Sequence, residues 1–387
     1  MKIALIRRQF SATGGAELYL QRLLGALQQA GHEIHLFAEA WEQPPAGIQF
    51  HAIPVEASRA WRAVRFAEGV QQALAGQRFD CVFSLERTLQ QDVYRAGDGV
   101  HRVWLERRRQ FAPWWRKPFI GRGAFHRQMM ALEARTFDPA NTGRIIVNSD
   151  MVKQEILRHF KFPAERIHLV RNGIAVERFQ NGKREETRRR FGFSEKDCVL
   201  LFVGSGWERK GLQYLLDAVK IIEYMKRFDA NGMMPEKPFP GLSKHPAIKL
   251  LVVGKGKRPR GTSANVVFAG AMADVEQAYA AADLFVFPPI YEPSSNVVIE
   301  ALAAGLPVIT TAQNGASEWI APGDNGAVLS EPDTGLLVEA ICQWLQKLPR
   351  FVYTDAESVS LERNVKETMA VLELAAQGRA GTKGTAI

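Results

Sequence analysis

KIALIRRQFSATGGAELYLQRLLGALQQAGHEIHLFA, residues 2–38, joins three segments of different period. KIALI (2–6) is a short apolar run of the kind found in a buried strand. Leu18, Leu20, Leu23, Leu24 and Leu27 then recur roughly at helical spacing, and Gly31 supplies a stop. EIHLFA (33–38) alternates as a second strand does. Strand, glycine turn, helix, strand opens a parallel α/β sheet, because parallel strands need a long crossover between them.

Working outward, FDCVFS (79–84), RIIVNS (144–149) and IHLVRN (167–172) read as further strands, with a helix at 150–160. The pattern restarts at CVLLFVG (198–204) and continues through IKLLVVG (248–254), NVVFAG (265–270), DLFVFP (283–288) and PVITT (307–311). Such near-continuous apolar runs suit strands covered on both faces. The expected architecture is α/β: two doubly wound Rossmann-like domains in tandem, facing each other across a cleft. Residues 1–171 form the first and 172–359 the second, joined by the polar NGIAVERFQNGKRE. A helix over about 360–377 is expected to pack back onto the first domain, ahead of a disordered tail at 378–387. FDANGMMPEKPFPGLSKHP (228–246), rich in Pro and Gly, reads as a surface loop.

A length of 387 residues exceeds the usual single core, and 46% hydrophobic with 24% charged residues describes a globular chain. Cys81, Cys198 and Cys342 lie apart in apolar runs, which points to buried thiols in a reducing compartment. The opening MKIALIRRQF is too short in apolar residues for a signal peptide, and no run reaches membrane-spanning length. A cytoplasmic location is expected. The net charge is +9, and residues 101–130 hold seven Arg, one Lys and a single acid, Glu106.

Two segments carry chemistry. In FVGSGWERKGLQYLLDA (202–218) a strand ends in Gly204-Ser205-Gly206, and Arg209-Lys210-Gly211 opens a helix. Backbone N–H groups at such a turn, with two cations beside them, suit a phosphate or diphosphate; a tight turn with a solvated Arg-Lys pair is the plainer alternative. In YEPSSNVVIEALAAGLPVITT (291–311), Ser294 and Ser295 are placed to cap a helix ended by Gly305 and Pro307. Glu300 falls in its second turn, among Val297, Val298, Ile299, Ala301 and Leu302, where a solvated side chain is poorly accommodated. Its carboxylate is positioned to accept two ribose hydroxyls, with Glu292 facing whatever lies beyond the phosphates.

The run ADLFVFPPIYEPSSNVVIEALAAGLPVITT resembles the donor-binding signature of the retaining glycosyltransferases of the large GT4 family, which have the GT-B fold. GGAE (14–17), IIVNSD (145–150), VRNGIAVERF (170–179), VGSGWERKG and NGASEWIAPGDNG (314–326) match further family segments in the family's order. The resemblance implies that Glu300 binds the nucleotide ribose and Glu292 contacts the donor sugar. It implies that Arg209 and Lys210 neutralise the diphosphate without a metal. Ser294, Ser295 and Asn296 would offer backbone N–H groups to the phosphates, and Gly14 and Gly15 would let the backbone approach the donor. Two positions depart from the pattern: Ser205 replaces the usual arginine, leaving Arg209 to supply that charge, and Ser295 replaces a glycine.

In YRAGDGVHRVWLERRRQ (94–110), Asp98 and His101 correspond to the family position that faces the sugar from the acceptor side. Asp98 is preferred; an ordinary turn residue and a structural helix-start histidine are the alternatives. Downstream, Trp104, Phe111, Trp114, Trp115, Phe119 and Phe125 interleave with the cations, which suits an anionic membrane surface. An internal packing face is the rival, and no nucleic-acid motif is present. This layout resembles that of the family's lipopolysaccharide-core glucosyltransferases. The resemblance therefore implies retaining, metal-independent transfer of a hexose from a nucleotide sugar, a UDP-hexose, with no other cofactor. The donor would bind the C-terminal domain, and a lipid-linked or phosphorylated saccharide acceptor the N-terminal one. The place would be the inner face of the cell membrane. A sugar-nucleotide epimerase and a non-catalytic saccharide- or lipid-binding scaffold are the other classes open to this chain.

Overall fold

A computed structural model describes residues 1–9, 15–41, 46–230, 247–347, 351, 353 and 355–383, with 15–18, 229–230 and 379–383 described by their backbone alone. Two compact units result: Met1–Gly173 with Leu361–Ile387, and Ile174–Ser360.

Unit 1 contains β1 (Lys2–Ile6), α1 (Gly15–Gln29), β2 (Glu33–Ala38), β3 (Gln49–Ala52), α2 (Arg62–Leu74), β4 (Cys81–Ser84) and β5 (Gln91–Arg95). It continues with α3 (His101–Phe111), α4 (Ala124–Thr136), β6 (Thr142–Val147), α5 (Asp150–Phe160) and β7 (Ile167–Leu169). All pairings are parallel, in the order β3-β2-β1-β4-β5-β6-β7. The order reverses direction between β1 and β4, and the chain leaves both strands at the same edge of the sheet.

Unit 2 contains α6 (Val176–Gln180), α7 (Arg184–Phe191), β8 (Cys198–Val203), α8 (Leu212–Ala230), β9 (Ile248–Val253), β10 (Val266–Gly270), α9 (Val275–Ala281) and β11 (Leu284–Phe287). α10 (Asn296–Ala303), β12 (Val308–Thr311), β13 (Gly326–Leu329) and α11 (Thr334–Leu345) complete it. The parallel sheet runs β10-β9-β8-β11-β12-β13, with its reversal between β8 and β11. Every residue of β8 is buried, as are Leu284–Phe287 of β11. Covered sheets have no solvent face, so their strands need not alternate.

Several expectations change. The segment read as a polar joint folds into α6 and the start of α7, with Phe179 buried and Arg178 paired to Glu276 at 2.7 Å. α12 (Leu361–Lys383) packs on α1, β4, β5 and β6, and its helix continues past 378, where a tail was expected to begin. Most of the loop expected at 228–246 lies outside the described residues, although α8 itself runs on to Ala230.

Candidate active site

In unit 2 the first functional loop leaves β8 at Val203 and turns through 204–211 before α8. Arg209, Lys210 and Gly211, expected to open the helix, therefore sit in the turn ahead of it, and α8 starts three residues later at Leu212. Gly204 has φ 151°, and a Cβ there would stand 2.7 Å from Lys210 Nζ. Only the absence of a side chain lets Lys210 lie across the strand end. Gly211 has φ 73°, and a Cβ would overlap the Pro288 carbonyl at 1.8 Å. That glycine brings the β8 loop against the loop that follows β11, where the Ile290 N–H donates to the Arg209 carbonyl at 2.8 Å.

The second loop, 288–295, is held from beneath by buried threonines of β12. Thr310 Oγ1 donates to the Phe287 carbonyl at 2.7 Å and Thr311 Oγ1 to the Pro289 carbonyl at 2.8 Å. Glu292 is fixed by its backbone: its N–H donates to the Gln313 carbonyl, and its carbonyl accepts from the Gly315 N–H, both at 2.9 Å. Buried Asn314 braces that partner segment, its side-chain amide donating to Thr310 Oγ1 at 3.0 Å.

These two loops bring the expected donor-side residues together. Arg209 Nη1 lies 3.2 Å from the Glu292 carboxylate and donates to the Tyr291 carbonyl at 3.2 Å. Glu292, expected to contact the donor sugar, has its carboxylate at ion-pair distance from Arg209. Lys210 Nζ sits 5.6 Å from the Phe287 ring centroid, its pKa lowered by burial, while Glu292 and Glu300 act to raise it. Ser295 is the N-cap of α10, yet its side chain makes no capping bond; Ser294 and Ser295 are both buried. The capping expected of their hydroxyls is therefore not seen for Ser295. Asn296 opens the helix, and Lys210 is near enough to Glu300 in the second turn of α10 for the two to influence each other's protonation.

Glu300, half-buried in the second turn of α10, has a partner that its own neighbourhood in the sequence does not reveal. The Tyr279 hydroxyl, from buried α9, donates to Glu300 Oε2 at 2.7 Å. Burial pushes the Glu300 carboxyl above its ordinary pKa, opposed by the Tyr279 bond, Arg178 and Lys210. One carboxylate oxygen is thus committed to tyrosine. Ser205, standing where an arginine was expected, accepts from the Lys255 N–H at 2.9 Å and ties the β8 loop to the end of β9.

The acceptor-side candidates lie in unit 1. Asp98 is exposed on the turn after β5. His101 opens α3, half-buried, with Nε2 3.0 Å from His126 Nδ1 and the rings stacked at 5.2 Å. Burial, with Arg87 and His126 nearby, pushes its pKa down to about 4, so the ring is neutral at pH 7. Gly15 is the first residue of α1, and Gly14 lies outside the described residues.

The solved structure of WaaG, a glycosyltransferase involved in lipopolysaccharide biosynthesis, matches with a TM-score of 0.71 at 25% identity, covering 97% of this chain and 98% of that one. Two family models match in succession, Glycosyltransferase Family 4 over residues 13–178 and Glycosyl transferases group 1 over 197–347. The chain belongs to the GT-B glycosyltransferases. Among curated relatives of this glycosyltransferase, the lipopolysaccharide glucosyltransferase WaaG of Escherichia coli (strain K12) is 27% identical over 348 residues, 86% of each chain. The lipopolysaccharide 1,2-N-acetylglucosaminetransferase of Salmonella typhimurium is 27% identical over 195 residues, half of each chain. Anabaena Alr3699/HepE, solved with UDP and glucose, shares the fold at 16% identity and a TM-score of 0.61, with full coverage of both chains. Among its described residues this glycosyltransferase has no helix long and apolar enough to cross a membrane.

Proposed function

We propose that this chain is a retaining, metal-independent hexosyltransferase using a UDP-sugar. Its acceptor would be a lipid-linked or phosphorylated saccharide of the lipopolysaccharide core or a related envelope glycan. The carrying observation is the convergence of Arg209, Lys210, Glu292, Glu300 and the start of α10 beyond the β8 and β11 strand ends. Ligands of open parallel sheets bind at such a reversal of strand order. The names of the relatives support lipopolysaccharide sugars as the substrate class, and the HepE complex supports UDP.

In this reading the diphosphate docks on Lys210, Arg209 and the first-turn N–H groups of α10, where the helix dipole favours an anion. Glu292 holds Arg209 in place and borders the sugar. The free oxygen of Glu300 accepts from the ribose. As the glycosidic bond to the diphosphate breaks, the growing negative charge is met by donors that are already oriented, which is the largest expected catalytic term. The cationic pair supplies the charge that a divalent metal would otherwise bring. Asp98 serves on the acceptor side.

The test is a thermal-shift panel of UDP, GDP and their sugars on the wild-type chain and Glu300→Ala. UDP and a UDP-sugar are expected to raise Tm, and Glu300→Ala to abolish most of the shift. An undiminished shift in the variant rules out the ribose assignment. Conversion of a UDP-sugar to its epimer without acceptor and without release of UDP rules out transfer in favour of an epimerase, and no UDP binding at all in favour of a binding scaffold.

A further inference from the structure

The carboxyl ends of β1, β4 and β5 gather where the strand order of unit 1 reverses, the position at which open parallel sheets take ligands. A cavity of about 440 Å³ lies there, within unit 1. Its lining includes Arg8 beyond β1, Glu86 and Arg87 beyond β4, Asp98 beyond β5, and Arg59 and Arg62 at the approach to α2. The size falls in the range of small-molecule sites, roughly 300–1,000 Å³.

The arginines are not equivalent. Arg62 donates to Glu39, its Nε at 2.9 Å. Arg87 Nη2 donates to the Gly99 carbonyl at 2.8 Å and to Glu133 at 3.2 Å. Glu86 is ion-paired at 3.2 Å to Arg7, which is not part of the lining. Among the described residues, Arg8 and Arg59 have no carboxylate at ion-pair distance, and the Arg8 Nε is buried without a hydrogen-bond acceptor. Arg59 lies over the Phe125 ring, 5.4 Å from its centroid. Stacking fixes a guanidinium while leaving its in-plane N–H fork available, the geometry that suits a phosphate. Asp98, exposed on the same rim, is an acceptor for hydroxyl groups.

We propose that this cavity binds a saccharide carrying a phosphomonoester, the phosphate held by Arg8 and Arg59 and a ring hydroxyl by Asp98. As an acceptor subsite it rests on the glycosyl-transfer reading; as a binding site it does not. Titration calorimetry of the full chain, saturated with UDP to occupy the donor loops, tests it with glucose 6-phosphate, glucose and inorganic phosphate as probes. Glucose 6-phosphate is expected to bind at least tenfold more tightly than either other probe. Arg59→Gln and Arg8→Gln should each weaken it at least tenfold, and Asp98→Asn should weaken it while leaving inorganic phosphate unchanged.

Equal affinity for glucose and glucose 6-phosphate, or for inorganic phosphate and glucose 6-phosphate, overturns the proposal. So does undiminished binding by Arg59→Gln, a variant at an exposed side chain whose fold is checked by its circular dichroism. Arg59→Lys, which keeps the charge without the fork, should recover only part of the affinity. The UDP thermal shift should be unchanged in Arg59→Gln. A chain that binds glucose 6-phosphate through these arginines but shows no UDP shift retains this pocket and ends the nucleotide-sugar reading.

Discussion

Tyr279 governs the charge that Glu300 carries. Tyr279 is buried and Glu300 half-buried, and the tyrosine hydroxyl favours the ionised carboxylate while burial disfavours it. Only the ionised form accepts from both ribose hydroxyls, so UDP affinity on the proposed reading falls as pH drops through the raised Glu300 pKa. Removing the hydroxyl raises that pKa further. Tyr279→Phe is therefore expected to start the fall at a higher pH, and to lose about tenfold in affinity near neutrality, the scale of a bond to a charged group. The ring contacts with Phe179 at 5.4 Å and Phe285 at 5.8 Å are kept by phenylalanine, so folding should be little changed. UDP titrations from pH 8 to 5.5 at constant ionic strength decide it; superimposable profiles for wild type and variant would refute the coupling. The glutamates were legible because their spacing around a small-residue turn is unusual. Tyr279 was not, since AYAAADLF (278–285) reads as ordinary apolar packing and nothing in it points 21 residues ahead.

At the scale of elements, α3 begins without a capping side chain of its own. Val100 is its N-cap, and the first-turn donors are met instead by Glu133 of α4, which accepts from the His101 N–H at 2.6 Å and the Arg102 N–H at 3.1 Å. The same carboxylate neutralises Arg87, and both side chains are buried. Glu133→Ala would remove the carboxylate of a buried cation and the acceptor of two helix donors together, an expected loss of about 3–5 kcal/mol. Glu133→Gln keeps an acceptor and should recover part of it. Urea unfolding with a fixed m-value measures both, and a loss near zero for the alanine variant would refute the cap. The element map itself was uneven in legibility. β1 and β2 match the expected runs residue for residue, β1 read from its apolarity; β2, read from alternation, is in fact buried at every position after Glu33. β5, QDVYR, was missed: Gln91 and Arg95 are buried polar residues, Gln91 satisfied by nearby Thr88 and by distant Thr142, Arg95 by distant Tyr19 and Asn172. β3, QFHA, is an edge strand with little burial, and β13, GAVL, is too short to show a period.

For the whole molecule the largest unbalanced feature is the charge of residues 101–130, whose cations outnumber their single acid by seven. Unit 1 presents there an aromatic group that its own core does not use. Trp114 is 83% exposed, Trp115 53% and Phe119 73%, values rare for side chains of this size. Arg102, Arg109, Arg116, Lys117, Arg122 and Arg127 of the same segment are exposed, and Arg116 lies 4.8 Å from the Trp115 ring centroid. Cations near an anionic leaflet contribute about 1 kcal/mol each, and exposed indole rings suit the headgroup level. On the proposed reading this surface brings the enzyme to a lipid-anchored acceptor. Replacing Arg116, Lys117 and Arg122 by Gln should then weaken binding to vesicles containing phosphatidylglycerol by roughly a hundredfold, three contributions of that size. Trp114→Ala with Trp115→Ala and Phe119→Ala should weaken it while preserving its salt dependence, because charge and apolar insertion are separate terms. Raising the salt should release the wild type as screening shortens. Co-sedimentation measures all of these, and an unaltered fraction bound for both triple variants would assign the cations and rings to something other than lipid.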